Sequence, residues 1–188
     1  SDEVEHGCGR RGMNYWDCGT RCLEPDIVNR AKGIGKGARL GAVVTTPQIA
    51  AALSQRIQFI TFGGNPVVSA QGKAVLEVID RENLQANSLA MGGHLSAGLA
   101  RLKEKHNLIG DVRGKGLMLG IELVKDRATK EPATAECAQV LEACRDLGLL
   151  LGKGGLHGQT IRFSPPMCIH EGDADFILEV LDQALASL

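Results

Sequence analysis

Glycines at 33, 35 and 37 break the chain where it passes from one short β-branched run to another. The stretch Pro25-Asp26-Ile27-Val28-Asn29-Arg30-Ala31-Lys32-Gly33-Ile34-Gly35-Lys36-Gly37 leads into this turn, and Gly41-Ala42-Val43-Val44-Thr45 leaves it. Runs this short, bounded by glycine or proline, fit buried strands. Thr46-Pro47-Gln48-Ile49 then opens a helix, with Thr46 as its cap and Pro47 in its first turn, running to about Ser54. Residues 7 to 24 are rich in glycine, arginine and cysteine without periodicity. They read as a loop, with Trp16 packed inside it. This opening stretch reads as the end of an α/β domain.

After Pro66 the period changes. Val67, Ala70, Ala74, Val75, Val78 and Ile79 recur at steps of three and four, which predicts helices over 66–81 and 86–105. Asp111 to Val124 looks like two strands around a glycine turn. Thr134 opens a helix to about Leu147, closed by Gly148. Leu149-Leu150-Leu151 and Thr160-Ile161-Arg162-Phe163 read as two more strands. Asp173 to Leu188 is an amphipathic helix with Phe176, Ile177, Val180, Leu181 and Leu185 on its apolar side. Mixed elements without strict alternation argue for an α+β arrangement here. The expected division is 1–105 and 106–188.

The 188 residues hold 21 basic and 22 acidic side chains, a formal charge of −1. That balance gives no electrostatic case for nucleic acid or an anionic membrane, and no apolar run reaches the roughly 18 residues of a membrane-spanning helix. The six cysteines do not form a disulfide framework in a chain this long. Cys18 and Cys22 lack a second pair or a histidine cluster, so no metal site is expected. Cys137 and Cys144 read as core residues.

Lys32 is the chemical focus. Its neighbours Ala31 and Gly33 are small, which leaves room for a flat, bulky ligand. Asp2-Glu3-Val4 precedes it and Thr61-Phe62-Gly63-Gly64-Asn65-Pro66 follows. An acid, a lysine and a hydroxyl on a glycine turn complement the ring nitrogen, the aldehyde and the phosphate of pyridoxal phosphate. A lysine that bonds a carbonyl carbon must first be neutral, and burial favours that form. Taken singly, each signal has a plainer account: a surface lysine in a glycine turn, a strand-end Asp-x-Val, a threonine in a tight turn. A nucleotide-binding turn fails on spacing, since no G-x-x-x-x-G-K-[ST] occurs and the glycines at 33, 35 and 37 lack the dinucleotide fingerprint.

In that order, Asp2-Glu3-Val4, Ala31-Lys32-Gly33-Ile34-Gly35 and Thr61 to Pro66 resemble the class III aminotransferases of fold type I. Within that class the chain is most similar to the mitochondrial alanine–glyoxylate aminotransferase 2 group. Val112-Arg113-Gly114-Lys115-Gly116-Leu117-Met118, Leu150 to Gly158 and Ile161 to Met167 extend the resemblance, which covers only the C-terminal part of such an enzyme.

The resemblance implies the end of a large α/β cofactor domain followed by a small α+β domain. It implies pyridoxal 5'-phosphate, amino acid and oxo acid substrates, a homodimer with shared sites, and a mitochondrial location. It assigns Lys32 to the covalent bond with the cofactor, Asp2 to the ring nitrogen, Val4 to the flat face of the ring, and Thr61 to the phosphate of the neighbouring subunit's cofactor. Arg162 takes the substrate carboxylate, with Arg113 as rival and His157 as a loop residue. Glu5 departs from the family's usual glutamine, and an ionised glutamate cannot donate a hydrogen bond. Arg11, Lys36, Ala38, Arg39 and Ile60 depart too. With the N-terminal half of the family pattern missing, the alternative is a non-catalytic fragment that cannot turn over alone.

Overall fold

The computed structural model describes residues 1–188, except for the side chains of Thr20 and Arg21. The chain divides into two compact units, Ser1–Gln85 and Ala86–Leu188.

In the first unit, β1 (Ile27–Arg30) and β2 (Ala42–Thr45) pair antiparallel, with Ile27 opposite Thr45. The extended start of the chain lies along β1 in parallel, bridging Asp2 to Asn29. The strands form where expected, but Val43 and Val44 are exposed. A two-stranded ribbon has no further strand or helix layer to cover both its faces. Helix α1 (Pro47–Ser54) starts on the Thr46 cap, whose hydroxyl accepts from the Ile49 amide at 3.5 Å. In α2 (Pro66–Arg81) the Asn65 side chain caps the amides of Val67 and Val68. The predicted loop over 7–24 is a series of turns with one 3-10 turn at Asp17–Arg21.

Helix α3 (Leu84–Lys105) opens the second unit and gives its core Leu95, Leu99 and Leu102. The sequence places this helix with the first part as a connector, but its buried face groups it with the elements that follow. Strands β3 (Ile109–Lys115), β4 (Met118–Asp126), β7 (Thr160–Phe163) and β6 (Gly152–Gly154) form an antiparallel sheet in that order, and the short β5 (Glu131–Pro132) also pairs with β4. Helices α4 (Thr134–Asp146) and α5 (Glu171–Ala186) complete the core with Cys137, Val140, Cys144, Ile177, Val180 and Leu181. Burial pushes the Cys144 thiol up to about 11, as suits a cysteine serving as a small apolar residue.

Three details differ from the sequence expectations. Leu149-Leu150-Leu151 is not a strand, and the strand begins at Gly152. Phe176 is 46% exposed and lies off the buried stripe of α5. The α5 start is set by a capping box between His170 and Asp173, two residues earlier than predicted.

Asp182 of α5 is expected to give the stability of this unit a pH dependence. It accepts from His106 Nε2 and Lys105 Nζ, each at 2.6 Å. The His106 contact, then Lys105, holds its carboxyl below the usual range. A depressed carboxylate contributes stability above its unfolded value, and that contribution is lost as pH falls through the folded one. Urea midpoints are therefore expected to fall as pH drops below about 4. Asp182→Asn should flatten that limb, and an unchanged profile would remove Asp182 from the account.

Candidate functional site

The chain start and β1 run side by side, so the segments carrying Asp2 and Lys32 are brought together. The Glu3 amide donates to Asn29 O at 3.0 Å, and the Asn29 amide donates to Ser1 O at 3.0 Å. Asp2 is exposed, and its Oδ1 accepts from the Val4 amide at 3.0 Å. That bond closes a turn, so Val4 is no longer on a strand. Strand alternation, which would set Val4 on the same face as Asp2, stops where the chain bends.

Lys32 lies two residues past β1. Its φ of 44° is in the left-handed region, where side chains are disfavoured. Such conformations persist where surrounding structure holds them, and they gather at functional positions. Lys36 shares this conformation, with φ 42°. The turn is fixed from beneath. A Cβ on Gly35 would meet Ala38 O at 2.3 Å, and Gln71 of α2 donates to Gly35 O at 3.3 Å. A Cβ on Gly33, by contrast, would meet nothing within 4 Å. The space expected beside Lys32 is present.

Burial of Lys32 is not observed. Its side chain is 61% exposed and pairs with the carboxylate of Glu5. The walls that would enclose the amine are not among the described residues of this unit.

The Thr61 turn is also in the first unit. Thr61 is exposed, Gly64 has φ 67°, and Asn65 leads directly into α2. A hollow of about 400 Å³ lies between this turn and the β1–β2 ribbon, lined by Asn29, Arg39, Phe62, Gly64 and Ser69 among others.

Arg162 belongs to the second unit. On β7 it stands opposite Gly120 of β4 and Gly152 of β6. Its neighbours Ile161 and Phe163 are buried, while Arg162 faces outward. A Cβ on Gly154 would meet Arg162 Cδ at 2.9 Å, so the glycines of β6 clear a track for the arginine's aliphatic arm. Arg162 lines a largely apolar groove of about 720 Å³ with Leu150, Phe163, Pro165 and Ile169.

The rival, Arg113, is already engaged by Asp111 and Glu122, each at 2.7 Å. These contacts raise its own value and lower that of Glu122. His157 lies in the loop before β7, where its carbonyl accepts from Thr134 Oγ1. Arg11 pairs with Asp17.

Two positions passed over in the sequence organise the first unit. Glu3 is 1% exposed and accepts from the amides of Asp17 and Cys18 at 2.9 and 2.8 Å. Arg30 is 4% exposed, lies 4.2 Å from the Trp16 ring, and donates to Cys8 Sγ. Together they fold the loop over 7–24 onto the strand that presents Lys32. His94, Glu171 and Asp175 also bring ligand-type atoms within 4.8 Å of one another, but both acids are exposed.

Residues 1–185 match the family model described as aminotransferase class-III. The chain is 50% identical over its whole length to alanine–glyoxylate aminotransferase 2 homolog 2, mitochondrial, of Arabidopsis thaliana, spanning 39% of that protein. It is 48% identical to the human mitochondrial alanine–glyoxylate aminotransferase 2, over 98% of this chain and 36% of that one. The matched region is the C-terminal part of these relatives. Among solved structures, a phospholyase from Arthrobacter in complex with phosphoethanolamine superposes with a TM-score of 0.95 at 35% identity, covering all of this chain and 45% of that one. A Bacillus anthracis aminotransferase gives 0.93 at 35% identity, covering all of this chain and 44% of that one.

Proposed function

The chain belongs to the class III aminotransferases and has the fold of the C-terminal part of a type I enzyme, and from that premise we propose that the whole protein is a pyridoxal-phosphate-dependent transaminase. It would move an amino group from a donor such as alanine to an oxo acid such as glyoxylate. The observation that carries this reading is Lys32, held in the left-handed region beside open space, in the turn that follows the strand paired with the Asp2 segment.

The residues present suit the cofactor. An exposed carboxylate, an amine on a fixed turn and an apolar side chain near the chain start are the residue types that suit a ring nitrogen, an aldehyde carbon and a flat face. Pyridoxal phosphate, when bound, supplies a protonated ring that takes up the electron pair released at the substrate's α-carbon. Lys32 would hold it covalently and, once displaced by the substrate, move a proton from the α-carbon. Asp2 would keep the proton on the ring nitrogen, and Val4 would support the ring face. Thr61 would donate its hydroxyl to the phosphate bound by the other subunit of a homodimer. Arg162 would grip the substrate carboxylate through two parallel hydrogen bonds. The mitochondrial names of the relatives support the same location here.

Arg162→Lys keeps the charge but loses the two-point grip. Losing one charge-assisted bond, about 1.5–3 kcal/mol, is expected to raise the amino acid KM roughly 10- to 100-fold. Cofactor binding should persist. Steady-state transamination of alanine with glyoxylate by the protein in its longest expressed form is the test, and an unchanged KM moves the role elsewhere.

A second reading concerns the 188 residues alone. They span about two fifths of the relatives, and Lys32 is open to solvent. On its own this piece is expected to turn over little or not at all, since a loosely held ring loses the alignment that proton removal needs. Turnover like that of an intact relative would defeat this second reading.

A further inference from the structure

The carboxylate of Glu5 lies against Nζ of Lys32, although 27 positions separate the two in sequence. The parallel pairing of the chain start with β1 brings them together. The neighbouring acids have other partners. Asp2 Oδ1 accepts from Val4, and Glu3 is buried on the amides of Asp17 and Cys18. Lys32 reaches Glu5 from a fixed left-handed backbone, while the space beside Gly33 stays open. In this structure the amine is directed toward Glu5.

We propose that Glu5 is a latch on Lys32: the ion pair holds the amine away from the cofactor and must open before the amine can bond a carbonyl carbon. The proposal rests on the reading of Lys32 as the cofactor lysine. The two states exclude each other chemically. The ion pair is made by the protonated amine through its N–H groups. The bond needs the nitrogen's lone pair, so the ammonium first yields a proton to solvent. The nitrogen then attacks the aldehyde carbon of pyridoxal phosphate, its two remaining protons leave with the carbonyl oxygen as one water, and C=N replaces C=O. No electrons are gained or lost overall.

The side chains of Lys32 and Glu5 are 61% and 40% exposed, and exposed pairs contribute modestly and are screened by salt. Opening the latch by mutation should therefore speed cofactor capture by about two- to fivefold.

The test mixes pyridoxal phosphate with the wild-type chain, Glu5→Gln and Glu5→Ala, follows the absorbance of bound cofactor, then traps with borohydride and maps the labelled peptide. Both variants should capture faster than wild type, and added salt should narrow the gap by opening the wild-type pair. Equal rates in all three overturn the latch. So does a gain in Glu5→Gln alone, which would report a new amide donor. In either case a label on Lys32 leaves the cofactor assignment standing. No label on Lys32 in any of the three overturns the latch and the cofactor assignment together.

Discussion

Replacing Lys32 with glycine is expected to abolish borohydride-trapped pyridoxal phosphate while raising the stability of the first unit by about 0.5–1 kcal/mol. A side chain in the left-handed region costs roughly 1–2 kcal/mol, which glycine avoids. Glycine's greater freedom in the unfolded chain takes back part of that gain. The exposed pair with Glu5 adds little to the balance. On the proposed reading, in which Lys32 moves the proton, the same change in the whole protein should lower turnover by at least about 10²- to 10⁴-fold. Peptide mapping checks the first part and urea unfolding the second. If the label persists and falls on Lys36, which shares the backbone conformation at φ 42°, the role moves to Lys36.

Gly92→Ala and Gly93→Ala should act in opposite directions, although the two residues are adjacent in α3. A Cβ at 92 would lie 2.3 Å from the backbone carbon and oxygen of Gly116, in the turn between β3 and β4. Backbone atoms cannot rotate aside as a side chain can, so helix and hairpin must separate. Overpacking of this kind costs about 3 kcal/mol, or roughly 10–20 °C in melting temperature for a unit of this size. A Cβ at 93 meets nothing within 4 Å. There alanine supplies only its better helix propensity, about 0.8–1 kcal/mol. Far-ultraviolet circular dichroism during heating reads both. Equal shifts would mean that α3 does not approach the hairpin as described.

The helices and the β3–β4 hairpin were legible because their signals are local. Val67 through Ile79 carry a clean helical period, and Thr46-Pro47 and Asn65-Pro66 mark their own helix starts. The failures share a cause, which is that the deciding contact is distant in sequence. Leu149 to Leu151 has the composition of a strand, but the strand is built of glycine because Arg162 of β7 must lie across it. Glu3 is a residue type rarely buried. Nothing near it in sequence shows that the amides of Asp17 and Cys18 fold back onto its carboxylate. Ile27 to Thr45 looked like core strand because β-branched residues report a preference for pleated surface, not whether anything covers it. Within the site, the motifs pointed to the residue types and their order. The Glu5–Lys32 pair depends on the parallel run of two segments 27 positions apart, which no pattern in either segment announces.

The stacking of Arg30 on Trp16 has a spectroscopic consequence. Trp16 and Tyr15 are the chain's single tryptophan and single tyrosine, and both lie in the first unit. Intrinsic emission is therefore private to Ser1–Gln85. The second unit, whose aromatic rings are phenylalanines, is silent in that channel. Denaturation of one unit can be followed without interference from the other. Because Arg30 stands two residues before Lys32, a red shift of the Trp16 emission would report the loosening of the loop over 7–24 from the strand that carries the lysine.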